Sequence, residues 1–304
     1  MTQPRRNLPG ETTMLTRRTT GQKFFLRPDE FINGVLGFEI GKAASNHGQT
    51  IHAAIGMSNH CHIGVTDTTG DRSAFMHEAM GGIAKARNDD LNRRGYFWSA
   101  GQFGNCRLLD RKSIERKLVY IWTNPVQAGL VESVEEWPGF KILPRHWGKT
   151  IEIPCPDRYY GRRTPDKVEI TPQPPPGYDD MSLEEVRQHF QELLETKEKE
   201  LQEVHKNRDV KGRQGVIATN PFDTPTVREP ERGINPRFSS TCSDLLAEAI
   251  QRRRDFLETY ESRRQRWLNG QPVTFPAGTV QLARAAPVDC EPPDPDEPGV
   301  WALG

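Results

Sequence analysis

The chain has 304 residues, enough for one large domain or two smaller ones. Hydrophobic residues make up 35% and mean hydropathy is −0.72, so part of the chain is expected to be extended or solvated, and no apolar run reaches bilayer length. Net charge is zero, yet residues 1–150 hold 20 Lys and Arg against 14 Asp and Glu, while residues 151–304 hold 21 against 27; a neutral total hides a basic N-terminal half, which suits a polyanionic partner.

Residues 12–20 read Thr-Thr-Met-Leu-Thr-Arg-Arg-Thr-Thr, and this β-branched run predicts a strand with Arg17 and Arg18 at its end. Pro28, Asp29 and Glu30 open an amphipathic helix with Phe31, Val35 and Phe38 on its apolar face. His47-Gly48 ends it, with glycine in the C′ role. Residues 49–57 and 60–66 predict a hairpin of two strands turning at Ser58-Asn59. Asp71 starts a second helix with Phe75, Met76, Ala79, Met80 and Ile83 at helical spacing. Residues 95–98 and 102–109 read as strand and loop. Asp110 caps a third helix through Ile114, Leu118 and Ile121, which Asn124-Pro125 breaks or kinks, and residues 126–131 are expected as a short strand. Residues 1–150 thus predict one α+β domain, an antiparallel sheet with helices on one face as in ferredoxin-like (RRM-like) folds.

From residue 151 to about 180, repeated prolines mark a linker. Ser182-Leu183-Glu184-Glu185 is a capping box opening a helix through Val186, Phe190, Leu193 and Leu201. A second long helix, capped by Thr241 or Ser243, carries Leu246, Ile250, Leu257, Tyr260 and Trp267 on one face. The pair suggests a helical hairpin as a C-terminal α-helical extension over residues 181–290, with a strand at 278–284. Residues 291–304 are acidic and Pro-rich, and are expected to be disordered. Five scattered cysteines without a C-x-x-C pair argue against a zinc ribbon or a disulfide framework and predict a reducing, cytoplasmic setting. Arg5 and Arg6 precede no apolar h-region, so no signal peptide is expected, and no membrane partner.

The chemistry concentrates in two stretches. In Met57-Ser-Asn-His-Cys-His-Ile, His60 and His62 stand two apart in a predicted strand, so both imidazoles aim at one face while Cys61 points to the other. That is half of a metal site, set against the plainer reading of two surface histidines. A cupin or amidohydrolase would also use H-x-H, but no eight-fold β/α pattern is present. In Tyr120-Ile-Trp-Thr-Asn-Pro-Val-Gln-Ala-Gly-Leu-Val, Tyr120 and Asn124 are four apart and share a helix face, although Pro125 pushes Asn124 away from helical geometry. An ordinary core-edge tyrosine and a C-capping asparagine account for the same spacing.

These two stretches resemble the M-P-N-H-x-H and Y-I-x-x-N-P-V-x-A-G-L-V blocks of HUH single-tyrosine transposases, in particular the REP-associated tyrosine transposases related to the IS200 group. Asn92-Arg93-Arg94-Gly95 and Trp98 resemble the N-R-x-x-G-x-x-W stretch between the blocks. The likeness covers residues 12–148. It implies a ferredoxin-like palm, a divalent metal (Mg2+ or Mn2+) on His60, His62 and Asn124, and Tyr120 as nucleophile. The implied reaction is single-strand DNA cleavage and strand transfer through a 5′-phosphotyrosine. The partner would be single-stranded or hairpin DNA, with monomer and homodimer both open. Arg17, Arg18, Arg93, Arg94 and Arg107 are candidate phosphate contacts, and Trp98 and Phe97 candidate base-stacking groups; Trp122 is expected in the core. Two departures stand out: Ser58 replaces the usual proline, and Ser99-Ala100-Gly101-Gln102 follows Trp98 where a basic residue is common. A non-catalytic nucleic-acid-binding module on the same fold is the alternative.

Overall fold

The β-branched run expected as a strand forms β1 (Glu11–Arg18), which lies inside a six-stranded sheet. The computed structural model describes residues 4–157, 164–207, 209–227, 236–294, 296–297 and 299–301. After β1 come α1 (Glu30–Asn46), β2 (Gln49–Gly56), β3 (His60–Asp67), α2 (Arg72–Asp90), β4 (Gly104–Leu108) and α3 (Arg111–Gln127). The sheet order is β5-β2-β3-β1-β4-β8, with β5 at Lys141–Ile142 and β8 at Phe238–Ser239. β1 pairs antiparallel with β3 and β4, and β2 does so with β3 and β5. β8 joins β4 in parallel, so the sheet is mixed and not antiparallel throughout.

Local chemistry explains the helix ends. The Asp29 carboxylate accepts from the Ile32 amide, and Gly48 takes a left-handed φ of +57° after α1. Asp110 and Ser113 form a reciprocal box at the start of α3. Of the break or kink expected at Asn124-Pro125, the break does not occur. Pro125 sits inside α3, which continues to Gln127, and Gly129 (φ +65°) turns the chain where a strand over 126–131 was expected. Proline this close to a C-terminus removes a single intrahelical donor, and Trp122, buried with its indole N–H donating to Ile142 O at 2.7 Å, anchors the last turns.

Alternation along the strands sends Leu15, Cys61, Ile63 and Val65 toward α1 and α2, while Ala53, Ile55 and Met57 face α3. Helices therefore cover both faces, where one face was expected, because the second face is equally apolar and needs burial. The C-terminal half supplies part of that cover. Helix β-pairings aside, the 151–180 segment is not a bare linker: β6 (Ile151–Pro154) and β7 (Lys167–Ile170) form a hairpin against α1. Helix α4 (Leu183–His205) starts at the Ser182 capping box and packs on α3, with Phe190 against Trp122 and Trp147 at ring distances of 6.0 and 5.1 Å.

No helical hairpin forms from α4 and the next long helix. After α5 (Gly212–Ile217), α6 (Ser243–Leu268) packs on β8 and on β9 (Thr274–Phe275). Cys242 occupies the N-cap of α6 without a side-chain bond, since Ser240 and Thr241 instead bond Asp110 at the start of α3. The expected strand at 278–284 is α7 (Val280–Ala285), followed by β10 (Asp289–Cys290) alongside β9. In the acidic tail residues 291–294 are exposed, but Glu297 is buried and the Trp301 amide donates to Gly10 O. Among the described residues no helix is long and apolar enough to cross a membrane, and the five cysteines are free.

Candidate active site

Glycine at position 64 lets a helix lie close on the sheet. A Cβ there would come within 2.7 Å of Leu118 and 3.4 Å of Ile121, so only the bare backbone admits α3 at this distance. Two residues earlier on the same face of β3 stands His62, and two earlier again His60. The close crossing thus brings α3 over the histidines. The His62 and Tyr120 rings are 5.4 Å apart between centroids, and the His60 and His62 rings 4.8 Å. Asn124 Nδ2 lies 3.4 Å from His62 Nε2, a long contact. Because α3 stays helical through Asn124, Tyr120 and Asn124 do share one face.

Hydrogen bonds orient both imidazoles. Thr16 Oγ1, directly opposite His62 in the β1–β3 pairing, is 2.7 Å from Nδ1. His60 Nδ1 is 2.7 Å from Asn59 Oδ1, which accepts from it. A tautomer with Nδ1–H donated in each ring would present both Nε2 atoms as metal donors. Burial holds the His62 pKa well below 6.5, reinforced by the nearby charges of His60, Arg18 and Lys117, so this ring is neutral at pH 7. The Lys117 ammonium sits 5.7 Å from the Tyr120 ring centroid.

Among the described residues no group of three or more His, Cys, Asp and Glu side chains is gathered for a metal. The donors at hand are the two imidazoles and the Asn124 amide, whose oxygen faces His62 if the amide is flipped. This set fits a divalent ion. Imidazole ligands suit Mn2+ better than Mg2+, which prefers an all-oxygen shell.

A cavity of about 830 Å3 opens beside the histidines, with Arg18, Asn59, His60 and Asn124 on one side and Lys211, Phe222 and Asp223 on the other. That second wall comes from the C-terminal half. It is tied down by the Phe24 amide donating to Asp223 O, by Lys23 donating to Phe222 O, and by Arg27 donating to Ile217 O. Sequence reasoning missed these residues, since no local pattern links position 60 to position 222. It also missed Thr16, which the strand register alone reveals.

The other candidate contacts are scattered. Arg18 lies opposite His60 on β1 and lines the cavity. Arg17 pairs with Cys61, so it points to the other face, where it donates to Gly101 O. Trp98 is on that side too, half-buried with its indole donating to Met80 O. Phe97 is buried against Phe25, away from any base. The Arg93 guanidinium stacks 4.2 Å from the Phe25 ring centroid and bonds Asn88 and Tyr96 O; Arg94 next to it is exposed. Arg107 is not on the histidine face at all. It stands opposite Thr13 on the far face and is buried between Glu11 at 3.0 Å and Glu297 at 3.4 Å, an ion cluster inside the fold.

No protein-family model matches the chain, and no curated protein matches it. Among solved structures, a REP-associated tyrosine transposase bound to a REP hairpin is similar at 23% identity, with a TM-score of 0.39, over 48% of this chain and 85% of that one.

Proposed function

We propose that the protein is a metal-dependent single-strand DNA endonuclease and strand transferase working through a 5′-phosphotyrosine at Tyr120. The observation that carries this reading is the meeting of His60, His62, Tyr120 and Asn124 at one β3–α3 crossing beside an open, partly basic cavity. The β1-α1-β2-β3-α2-β4 order with β3 and β1 adjacent in the sheet supports a ferredoxin-like palm. The sequence blocks around His60 and Tyr120 support the same family.

A divalent ion on His60, His62 and Asn124, Mg2+ or Mn2+, would withdraw charge from a phosphoryl oxygen. The chain's own groups do the rest. Thr16 and Asn59 fix the imidazoles, so the donor set is preorganised. The Tyr120 phenol must give up its proton to attack, and the Lys117 ammonium stands 5.7 Å from its ring centroid. Its oxygen attacks phosphorus, the P–O3′ bond breaks, and the departing 3′-oxygen takes up a proton. The phosphate stays on Tyr120 through its 5′ side. The new ester keeps the energy of the old one, so another 3′-OH can reverse the step without ATP. Arg18 lies where the strand would enter and can pair with a flanking phosphate.

Incubation with a single-stranded hairpin oligonucleotide and Mn2+, followed by a denaturing gel, tests the reading. A protein–DNA adduct is expected, and it should vanish in Tyr120→Phe while DNA binding persists. Adducts that survive that substitution would remove Tyr120 from its role. Binding without any adduct in the unaltered protein would favour the non-catalytic module.

A further inference from the structure

We propose that the arginines gathered where β4, β8, α6 and the N-terminal arm meet form a phosphate-binding pocket distinct from the histidine face. A cavity of about 50 Å3 is lined there by Arg5, Arg6, Arg107, Arg237, Arg253 and Phe238. It is several times the ~10–15 Å3 that admits one water, room for one terminal phosphoryl group with the rest of a larger ligand lying outside, and too small for a nucleobase.

Among the described residues the ion pairs of this cluster centre on three carboxylates. Glu297 bridges Arg6 at 2.5 Å, Arg107 at 3.4 Å and Arg252 at 3.1 Å. Glu11 bridges Arg72 at 2.6 Å and Arg107 at 3.0 Å. Asp294 pairs with Arg252 at 2.5 Å. Among the described residues Arg5 and Arg237 have no carboxylate partner. Arg5 Nη1 is buried without an acceptor, while its Nη2 donates to Phe103 O and the guanidinium lies 3.5 Å over the Phe103 ring, which holds it in place. Burial, together with Arg72, Arg237 and Arg17 nearby, pulls the Arg5 pKa down to about 10, and burial with Arg237 lowers that of Arg253. The buried Arg5 Nη1 without an acceptor, set among these guanidinium groups, is placed to receive an anion. A phosphate oxygen would accept from Arg5 Nη1 and offset the repulsion, and the guanidinium fork matches phosphate geometry.

The phosphate can come from two sources, the backbone of a nucleic-acid strand or a small phosphorylated ligand. The position favours neither, since β8 and α6 belong to the half of the chain outside the transposase-like blocks. The pocket needs neither Tyr120 nor a metal, so it stands or falls apart from the cleavage reaction.

The test is calorimetry on the full-length chain in chelator, with pyrophosphate as the first probe and an unstructured 20-nucleotide DNA as the second. Pyrophosphate should bind, and Arg237→Gln combined with Arg253→Gln should weaken it at least tenfold. Arg5→Gln should do the same, and circular dichroism shows whether each variant is folded. Arg254→Gln, a neighbouring exposed arginine outside the pocket, should have no effect. If the double variant also lowers the slope of log affinity against log salt for the DNA by about 0.7, the occupant is a strand phosphate. An unchanged DNA slope with lost pyrophosphate binding assigns the pocket to a small ligand. Absence of pyrophosphate binding, or equal weakening by Arg254→Gln, overturns the proposal.

Discussion

Replacing Gly64 by alanine tests whether the α3–β3 approach builds the site. The added Cβ would lie 2.7 Å from Leu118 Cδ2. Apolar carbons settle at about 3.5–4.0 Å, so the two must part by roughly 1 Å. Leu118 is fully buried, which leaves it little room to swing aside. Overpacking of this kind costs about 1–3 kcal/mol. A loss of ~2 kcal/mol at a urea m-value of about 2 kcal/mol/M moves the midpoint down by about 1 M. If α3 moves instead of Leu118, Tyr120 and Asn124 leave the histidines by the same ~1 Å, and a misplacement of that size lowers cleavage about 100-fold. Urea melts and adduct yield on hairpin DNA measure the two effects. The double variant Gly64→Ala with Leu118→Ala should recover at least ~1 kcal/mol relative to the sum of the single changes, because the new methyl enters the space the leucine vacates. Strictly additive losses, or a neutral Gly64→Ala, would show that glycine is not what sets the helix distance.

Two further outcomes follow from the same geometry. Thr16→Val removes the 2.7 Å partner of His62 Nδ1 and should weaken Mn2+ binding about 10- to 100-fold by calorimetry, with little change in the melt. His52 is buried between Gln173 O and Thr66 Oγ1, and burial lowers its pKa to about 4 against 6.5 in the unfolded chain. The unfolded chain therefore binds the extra proton first, so stability is full above pH 6.5 and falls as pH drops from 6.5 toward 4, by roughly 3 kcal/mol for this one group. His62 acts in the same direction. Melts of His52→Gln across this window should show a flatter acid limb than the unaltered protein, and an equally steep one would relocate the effect.

Much of the central sheet was legible, and for identifiable reasons. Strand alternation, the Asp110 cap and the glycine after His47 are local signals found where expected, and the acids expected in the first turn of α1 are Glu30 inside it and Asp29 as its cap. The histidine pair was readable because period two in a strand needs no tertiary information. What failed was set by contacts distant in sequence. Pro125 reads as a helix stop on local grounds, yet the buried Trp122 and the cover of α4 keep α3 intact through Gln127. The Thr241 hydroxyl reads as a cap for α6, yet Asp110, 131 residues away, competes for it. Strand β8 has two residues and no periodicity to detect, so the joining of the two halves through the sheet was invisible. The wall of Lys211 and Phe222 beside the histidines was hidden for the same reason.

Charge is where sequence and structure diverge most usefully. The net of +6 over residues 1–150 suggests a broad polyanion-binding surface. In the fold several of those cations are consumed internally. Arg72 is wholly buried on Glu11, Arg87 is buried between Asp29 and Asp90, and Arg107 is held by Glu11 and by Glu297 from the acidic half. The cations that line the histidine cavity are fewer, Arg18, Lys23 and Lys211, with Lys117 near the Tyr120 ring. With about three or four strand phosphates met there, affinity for single-stranded DNA should fall as salt to the power of about −2 to −3, or roughly 20- to 50-fold between 50 and 200 mM. Six phosphates, as the sequence count implies, would give roughly 300-fold. Fluorescence anisotropy of a labelled oligonucleotide over that salt range separates the two. A several-hundredfold loss would mean that the internal ion pairs open on binding, or that the strand runs far beyond the cavity onto the opposite face where Arg17 lies.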